Sequence, residues 1–250
     1  MKDRSMPAGP DAPLVRSRYP PRRLAIRRLL ITLFWLGALG AGAVLWAGTA
    51  VRAHRTVFSV DLPLVEFLAA HRTAFLTWTA RFISDVASPV GLLVTLAVLV
   101  GLARWPRTSW RRRGWQPVLA AAATLGGIDV VESTIKAWVA RPRPAPGLAV
   151  SNVSAHGFAF PSGHTSQSTA VYGLIAVLLW QRYRGRTQRI ETVMLGLAAI
   201  LAVGMSRLYL GVHWFSDVLF GWLLGASWLA VVLAAWTAIR IHRGDEDRLD

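Results

Sequence analysis

The feature that most limits what this chain can fold into is a run of 23 residues, Leu29 to Val51, whose only hydroxyl side chains are Thr32 and Thr49 and which carries no charged one. At roughly 1.5 Å of rise per residue, a helix of that length reaches about 34 Å and crosses the hydrocarbon core of a bilayer. A cleaved secretory signal competes as an explanation, since Gly48 and Ala50 resemble the small residues of a cleavage site. Its apolar segment, however, normally runs to only about 7–15 residues, so an uncleaved membrane helix is expected. Composition points the same way: of 250 residues 54% are hydrophobic and 16% charged, against roughly 25% charged in soluble domains.

Five further charge-free cores follow, at 86–103, 114–128, 165–181, 192–206 and 218–239. Several are short, and each continues in helical pattern past an ionisable residue such as Asp85, Asp129 or Asp217. Acids inside a span face protein or water rather than lipid and are functional candidates by default. The expected fold is all-α, a six-transmembrane helical bundle with both termini cytosolic. Its expected divisions are a disordered, basic, proline-rich tail at 1–28, a membrane domain at 29–240, and a charged tail at 241–250.

A formal charge of +15 suggests nucleic acid, because a basic surface is the usual footprint of phosphate-backbone binding. Position argues against it, and no nucleic-acid partner is expected. With the amino terminus inside, 20 of the 28 basic residues fall in cytosolic segments and 8 outside, the asymmetry that orients membrane helices. The 12 tryptophans, Trp138 and Trp214 among them, suit an interfacial belt. Zero cysteines exclude a disulfide framework, a zinc thiolate site and a cysteine nucleophile. Between the first two spans, Asp61 is expected to cap a short helix on the outer surface, with Pro63 in its first turn and Leu64, Val65, Phe67 and Leu68 as its apolar face. No internal repeat is visible, which counts against duplicated transporter folds.

Three polar blocks lie where spans meet the outside segments. The first is Lys136, then six residues, then Arg143 and Pro144. The prolines stop the helix and leave cations at the membrane surface, where they suit an anion such as phosphate. Glu132 lies one turn before Lys136 and is placed to pair with it. The second is Pro161, Ser162, Gly163, His164 at the start of a span. Free N–H groups there make an anion site, and His164 adds a titratable proton. The third is Ser206, Arg207, His213, Asp217. On a helix, residues four apart share a face, so Asp217 can hold one nitrogen of His213 while the other acts as a nucleophile. Taken singly, each block also has an ordinary explanation: snorkelling anchors, a helix cap, an interface histidine.

Taken together, the blocks resemble the three motifs of the type 2 phosphatidic acid phosphatase superfamily, which also holds the vanadium-dependent haloperoxidases. They match in identity, order and internal spacing, and the resemblance runs from about residue 80 to 235. It implies that His213 attacks phosphorus to give a phosphohistidine, with Asp217 as its partner. By the same resemblance His164 protonates the leaving oxygen and then activates water, while Lys136, Arg143, Ser162, Gly163 and Arg207 hold the phosphoryl oxygens.

Phosphoryl transfer asks mainly for positioning and for neutralisation of charge on the equatorial oxygens, which three cations and a helix terminus supply. No metal and no cofactor are therefore expected. Asp129 and Glu132 are read as buried neighbours that share a polar face with Lys136. Arg141 is offered as a contact for a second phosphate, against the commoner case of a solvated loop arginine, and His156 is read as an exposed loop histidine. His54, His71 and His242 receive no role.

The expected activity is a lipid phosphate or diphosphate phosphatase of the plasma membrane, in a bacterium, with its site on the extracytoplasmic side. Its partners are the bilayer and a lipid substrate arriving from it: a polyprenyl diphosphate, phosphatidate or phosphatidylglycerophosphate. A lipid phosphotransferase using the same intermediate is the nearest alternative and a transporter a more distant one. Oligomeric state is left open.

Overall fold

The computed structural model describes residues 22–53, 58–103, 116–153 and 156–242. Among the described residues eight α-helices follow one another: α1 Arg22–Arg52, α2 Asp61–Ala70, α3 Ala74–Val86, α4 Pro89–Ala103, α5 Gln116–Val139, α6 Gly163–Arg182, α7 Arg186–Tyr209 and α8 Phe215–His242. No strand occurs among the described residues. The helix α1 begins at Arg22, inside the stretch read from sequence as tail, while residues 1–21 and 243–250 lie outside the described residues.

Among the described residues four stretches are long and apolar enough to cross a membrane alone: Leu24–Arg52, Val118–Val139, Arg186–Tyr209 and Phe215–His242. A fifth is obtained if Ala74–Val86 and Pro89–Val98, which are bent by 62°, count as one span. The sequence placed one core at 86–103 here; the structure puts a separate amphipathic helix before it. Thr73 starts α3 by accepting from the Leu76 amide at 3.2 Å, and Ser88 starts α4 by accepting from Gly91 at 3.2 Å. The turn is tight enough that a Cβ on Gly91 would lie 2.2 Å from the Val86 carbonyl oxygen, so only glycine fits.

The helix α6 fails the hydropathy test although the sequence made it a span. Its opening turns carry Thr165, Ser166, Gln167, Ser168 and Thr169, all buried, because α6 packs against α4, α5, α7 and α8. Those polar groups face protein, and their hydroxyls are satisfied locally: Thr169 donates to the Thr165 carbonyl at 2.6 Å, and Ser168 to the same oxygen at 3.2 Å. Two apolar clusters hold the bundle around it. One joins Val44 and Ala47 of α1, Ile128 and Ile135 of α5, and Phe220 and Leu224 of α8. The other joins Leu92 and Leu96 of α4, Val171, Leu174 and Leu178 of α6, and Trp236 of α8.

The short helix α2 departs from expectation. Its N-cap is Val60, with no side-chain cap bond. Asp61 is turned inward and buried, accepting from the Ser216 amide at 2.8 Å and the Ser216 hydroxyl at 2.6 Å. It ties α2 to the start of α8 instead of capping its own helix.

Candidate active site

The three polar blocks meet at one end of the bundle. The Ser162 amide donates to the Asp217 carbonyl at 3.0 Å, which locks the start of α6 to the first turn of α8. The connection from α5 to α6 is pinned by the Ala159 amide on the Arg141 carbonyl at 2.9 Å, and the α7–α8 turn by the Val150 amide on the Leu210 carbonyl at 2.9 Å. Between these segments opens a cavity of about 500 Å³ whose wall includes Lys136, Arg143, Gly163, His164, Arg207 and His213. Ser162 and Asp217 are completely buried and do not line it.

His213 is 1% exposed. Its Nε2 lies 3.1 Å from Arg143 Nη1, and its Nδ1 lies 3.4 Å from Asp217 Oδ2. A guanidinium has donors only, so Nε2 carries the lone pair and the ring proton is on Nδ1, facing the carboxylate. Burial, and then the Arg143, Arg207 and Lys136 cations, hold this imidazole well below the ordinary histidine range. It is a neutral ring whose Nε2 lone pair accepts from a cation.

The expected hydrogen bond from His213 to Asp217 is not formed: Nδ1 has no partner within bonding geometry. The carboxylate is engaged elsewhere, accepting from the Trp214 amide at 2.9 Å and from Arg141 Nη1. Arg141 also pairs with Asp61 at 2.8 Å and lies over the Trp214 ring, 5.4 Å from its centre. Arg141 is therefore neither a solvated loop residue nor a wall residue; it bridges two buried carboxylates behind the site.

The cations differ in what they have left to offer. Arg143 spends all five donors: Nε on Gly157 O at 3.0 Å, Nη1 on Val212 O at 2.8 Å and on His213, Nη2 on His156 O at 2.9 Å and Phe158 O at 3.3 Å. Arg207 is nearly sealed; it donates through Nη1 to Ser84, and its Nε has no partner. Lys136 donates to Glu132 at 2.8 Å, the pairing expected from their spacing. Glu132 also accepts from the Ser166 hydroxyl at 2.8 Å and presses on the start of α6, where a Cβ on Gly163 would come within 2.4 Å of Oε1.

Asp129 departs from the sequence reading: it is exposed on the cavity wall, whereas Glu132 is buried, because α5 turns its face between those positions. His156 is exposed, as expected, and it also lines the cavity. Sequence reasoning gave no role to Arg81, Ser84, Ser88 or Gln167, which line the cavity beside Asp85. Gln167 was detectable, being one turn beyond His164 on the same helical face; the others belong to no spaced block.

A model of the PAP2 superfamily matches residues 117–241, half of the 250 residues. The chain belongs to the PAP2 superfamily. It is 35% identical over 156 residues to decaprenylphosphoryl-5-phosphoribose phosphatase of Mycobacterium tuberculosis, a match covering 62% of this chain and 77% of that protein. To phosphatidylglycerophosphatase B of Bacillus subtilis it is 33% identical over 135 residues, 53% of this chain and 62% of that protein. To the Escherichia coli phosphatidylglycerophosphatase B it is 43% identical over 88 residues, 34% of this chain and 31% of that protein. The matches thus span less than two thirds of both phosphatidylglycerophosphatases. In fold, this PAP2 chain is similar to the crystal structure of a transmembrane PAP2 type phosphatidylglycerolphosphate phosphatase from Bacillus subtilis. The TM-score is 0.63 at 22% identity, covering 88% of this chain and 97% of the other. Its long apolar helices, together with this likeness to a transmembrane PAP2 protein, indicate a multi-pass membrane protein.

Proposed function

We propose that this PAP2 protein is an integral membrane phosphatase that hydrolyses a lipid phosphate through a phosphohistidine at His213. The observation that carries the reading is the neutral Nε2 of His213, 3.1 Å from Arg143 and on the wall of a cavity shared with His164, Lys136 and Arg207. The Nε2 lone pair attacks phosphorus in line, forming the N–P bond as the P–O bond to the lipid breaks, and His164 gives its proton to the departing oxygen. Water then attacks phosphorus with His164 as base, releasing phosphate and restoring the ring.

Charge on the phosphoryl oxygens is met by Arg207, Lys136 and the amino terminus of α6 at Gly163 and His164. Arg143 joins them once Nε2 bonds phosphorus, because the Nη1 donor that faced the lone pair is released. Ser162 and Asp217 act from behind the wall: Ser162 fixes the α6 terminus to Asp217, and Asp217 holds its charge beside the Nδ1 proton.

Six spans are obtained when α6 joins the four long helices and the bent α3–α4 pair. Its polar turns are covered by protein, which is how a membrane tolerates them. The basic residues at 22–28, 182–189 and 240–242 then share one side. By the positive-inside rule that side, with both termini, is the cytosol, which puts the cavity on the extracytoplasmic face of the plasma membrane. The bilayer supplies the substrate, a role consistent with relatives named for phosphatidylglycerophosphate and a decaprenyl-linked phosphate.

The test is phosphate release from detergent-dispersed phosphatidate, phosphatidylglycerophosphate and a polyprenyl diphosphate by wild type and His213→Ala. Release by wild type and not by the variant supports the reading; equal rates overturn it. Identifying the product as free phosphate, not a phosphorylated alcohol, separates hydrolysis from transfer.

A further inference from the structure

Gln167 is 3% exposed yet lies on the cavity wall one turn beyond His164. Its Nε2 donates to Asp129 Oδ1 at 3.0 Å. A carboxylate offers lone pairs, so this bond fixes which end of the amide is which and makes Oε1 an acceptor. Among the described residues Oε1 is buried without a partner, a state that costs free energy until a donor arrives.

We propose that Gln167 Oε1, held by Asp129, accepts a hydrogen bond from a hydroxyl on the substrate's leaving group, and so makes this site selective for phosphate monoesters of hydroxyl-bearing lipid headgroups. The inference rests on the phosphatase reading above. In an in-line transfer the leaving group lies on the side of the protonating residue, His164, and Gln167 follows His164 on one face of α6. That part of the wall offers acceptors: the amide oxygen and the Asp129 carboxylate bonded to the same side chain. The second phosphoryl group of a diphosphate is itself rich in acceptors, and the Asp129 carboxylate and the amide oxygen oppose it. The four cations on the wall, Arg81, Lys136, Arg143 and Arg207, make a neutral hydroxyl a better occupant than an ammonium.

The experiment compares full-length protein in detergent on phosphatidylglycerophosphate, on its analogue lacking only the hydroxyl next to the phosphorylated carbon, and on a polyprenyl diphosphate. The expected kcat/KM for the deoxy analogue is lower by about tenfold, the effect of one unpaired buried acceptor, and the diphosphate also trails. Gln167→Met, which keeps volume and removes the acceptor, should bring the ratio of the two monoesters to within about twofold. Asp129→Asn, on an exposed residue, serves if Gln167→Met does not fold: it lets the amide turn and present a donor, and the ratio should again collapse. Equal turnover of hydroxyl and deoxy substrates by wild type, a ratio that survives both variants, or faster turnover of the diphosphate would each overturn the subsite while leaving the phosphatase reading in place. Release of phosphate from none of the three lipids would remove both.

Discussion

Two walls of the cavity are held in different ways. On one, the α5–α6 connection, the start of α6 and the α7–α8 turn are stitched by backbone bonds, Ser162 to Asp217 and Ala159 to Arg141, with Arg143 gripping four carbonyl oxygens. On the other, α3 and α4 reach the site through side chains, Ser84 on Arg207 and Arg81 on the Ser151 carbonyl at 2.8 Å. The first wall has little freedom to adjust and carries the groups that would act on phosphorus. The second stands on a 62° bend between two helices and fits a role in receiving the substrate. Changes to the first-wall groups that act on phosphorus, or to the bonds that hold them, should therefore abolish turnover or folding, and changes on the second should alter substrate handling.

The largest effect expected is that of His213→Ala, which should lower kcat by at least about 10³-fold with the protein still folded, since the covalent intermediate is proposed to form on its Nε2. Wild-type turnover in the purified variant would end the division between the walls. Behind the same wall, Arg141→Ala leaves Asp61 and Asp217 buried without their shared cation. It should cost about 3–5 kcal/mol of stability, read as a fall in thermal midpoint; an unchanged midpoint would show the network to be dispensable.

On the second wall, Ser84→Ala removes a neutral partner from buried Arg207. It should raise KM by about three- to tenfold with little change in kcat, at a cost of roughly 1 kcal/mol. A fall in kcat instead would place Ser84 with the first wall. A smaller signal is protonation of His213. Because burial and three cations hold it well below the ordinary range, its ring should remain neutral as pH falls through about 6.5, where exposed histidines become charged. The sign for folding follows: below that pH the unfolded chain takes up a proton that the folded chain does not, so stability falls as pH drops. Nuclear magnetic resonance of labelled histidine checks this, and a His213 midpoint near 6.5 would contradict it. The smallest expected effect is that of a chelator, which should leave phosphate release unchanged because arginine and lysine meet the charge; a strict magnesium requirement would contradict that role for the cations.

How far the sequence could be read follows the same division. The spacing of Lys136 and Arg143, of Ser162 to His164, and of Arg207, His213 and Asp217 identifies the first wall, since each block is local and its geometry is set by a helix end. The Lys136–Glu132 pair follows from helical spacing alone. The inward turn of Asp61 and the bridging by Arg141 were not legible, because they join residues 80 apart in sequence, and the cap assigned to Asp61 ignored that tertiary partner. Ser84 and Arg81 escaped for the same reason. Hydropathy located α1, α5, α7 and α8 well. It left α3 without a helix of its own ahead of the core at 86–103, because an amphipathic helix leaning against protein leaves only a weak apolar run, and it could not show that α6 is polar because it is covered.

The most direct test of the central claim is to quench the reaction with labelled lipid phosphate and map the label by mass spectrometry. The account predicts an acid-labile, alkali-stable phosphoryl group on the peptide carrying His213, lost in His213→Ala and accumulating in a His164 variant slow to activate water. Label on any other residue, or turnover with no covalent phosphoprotein under conditions that trap a phosphohistidine standard, would contradict it.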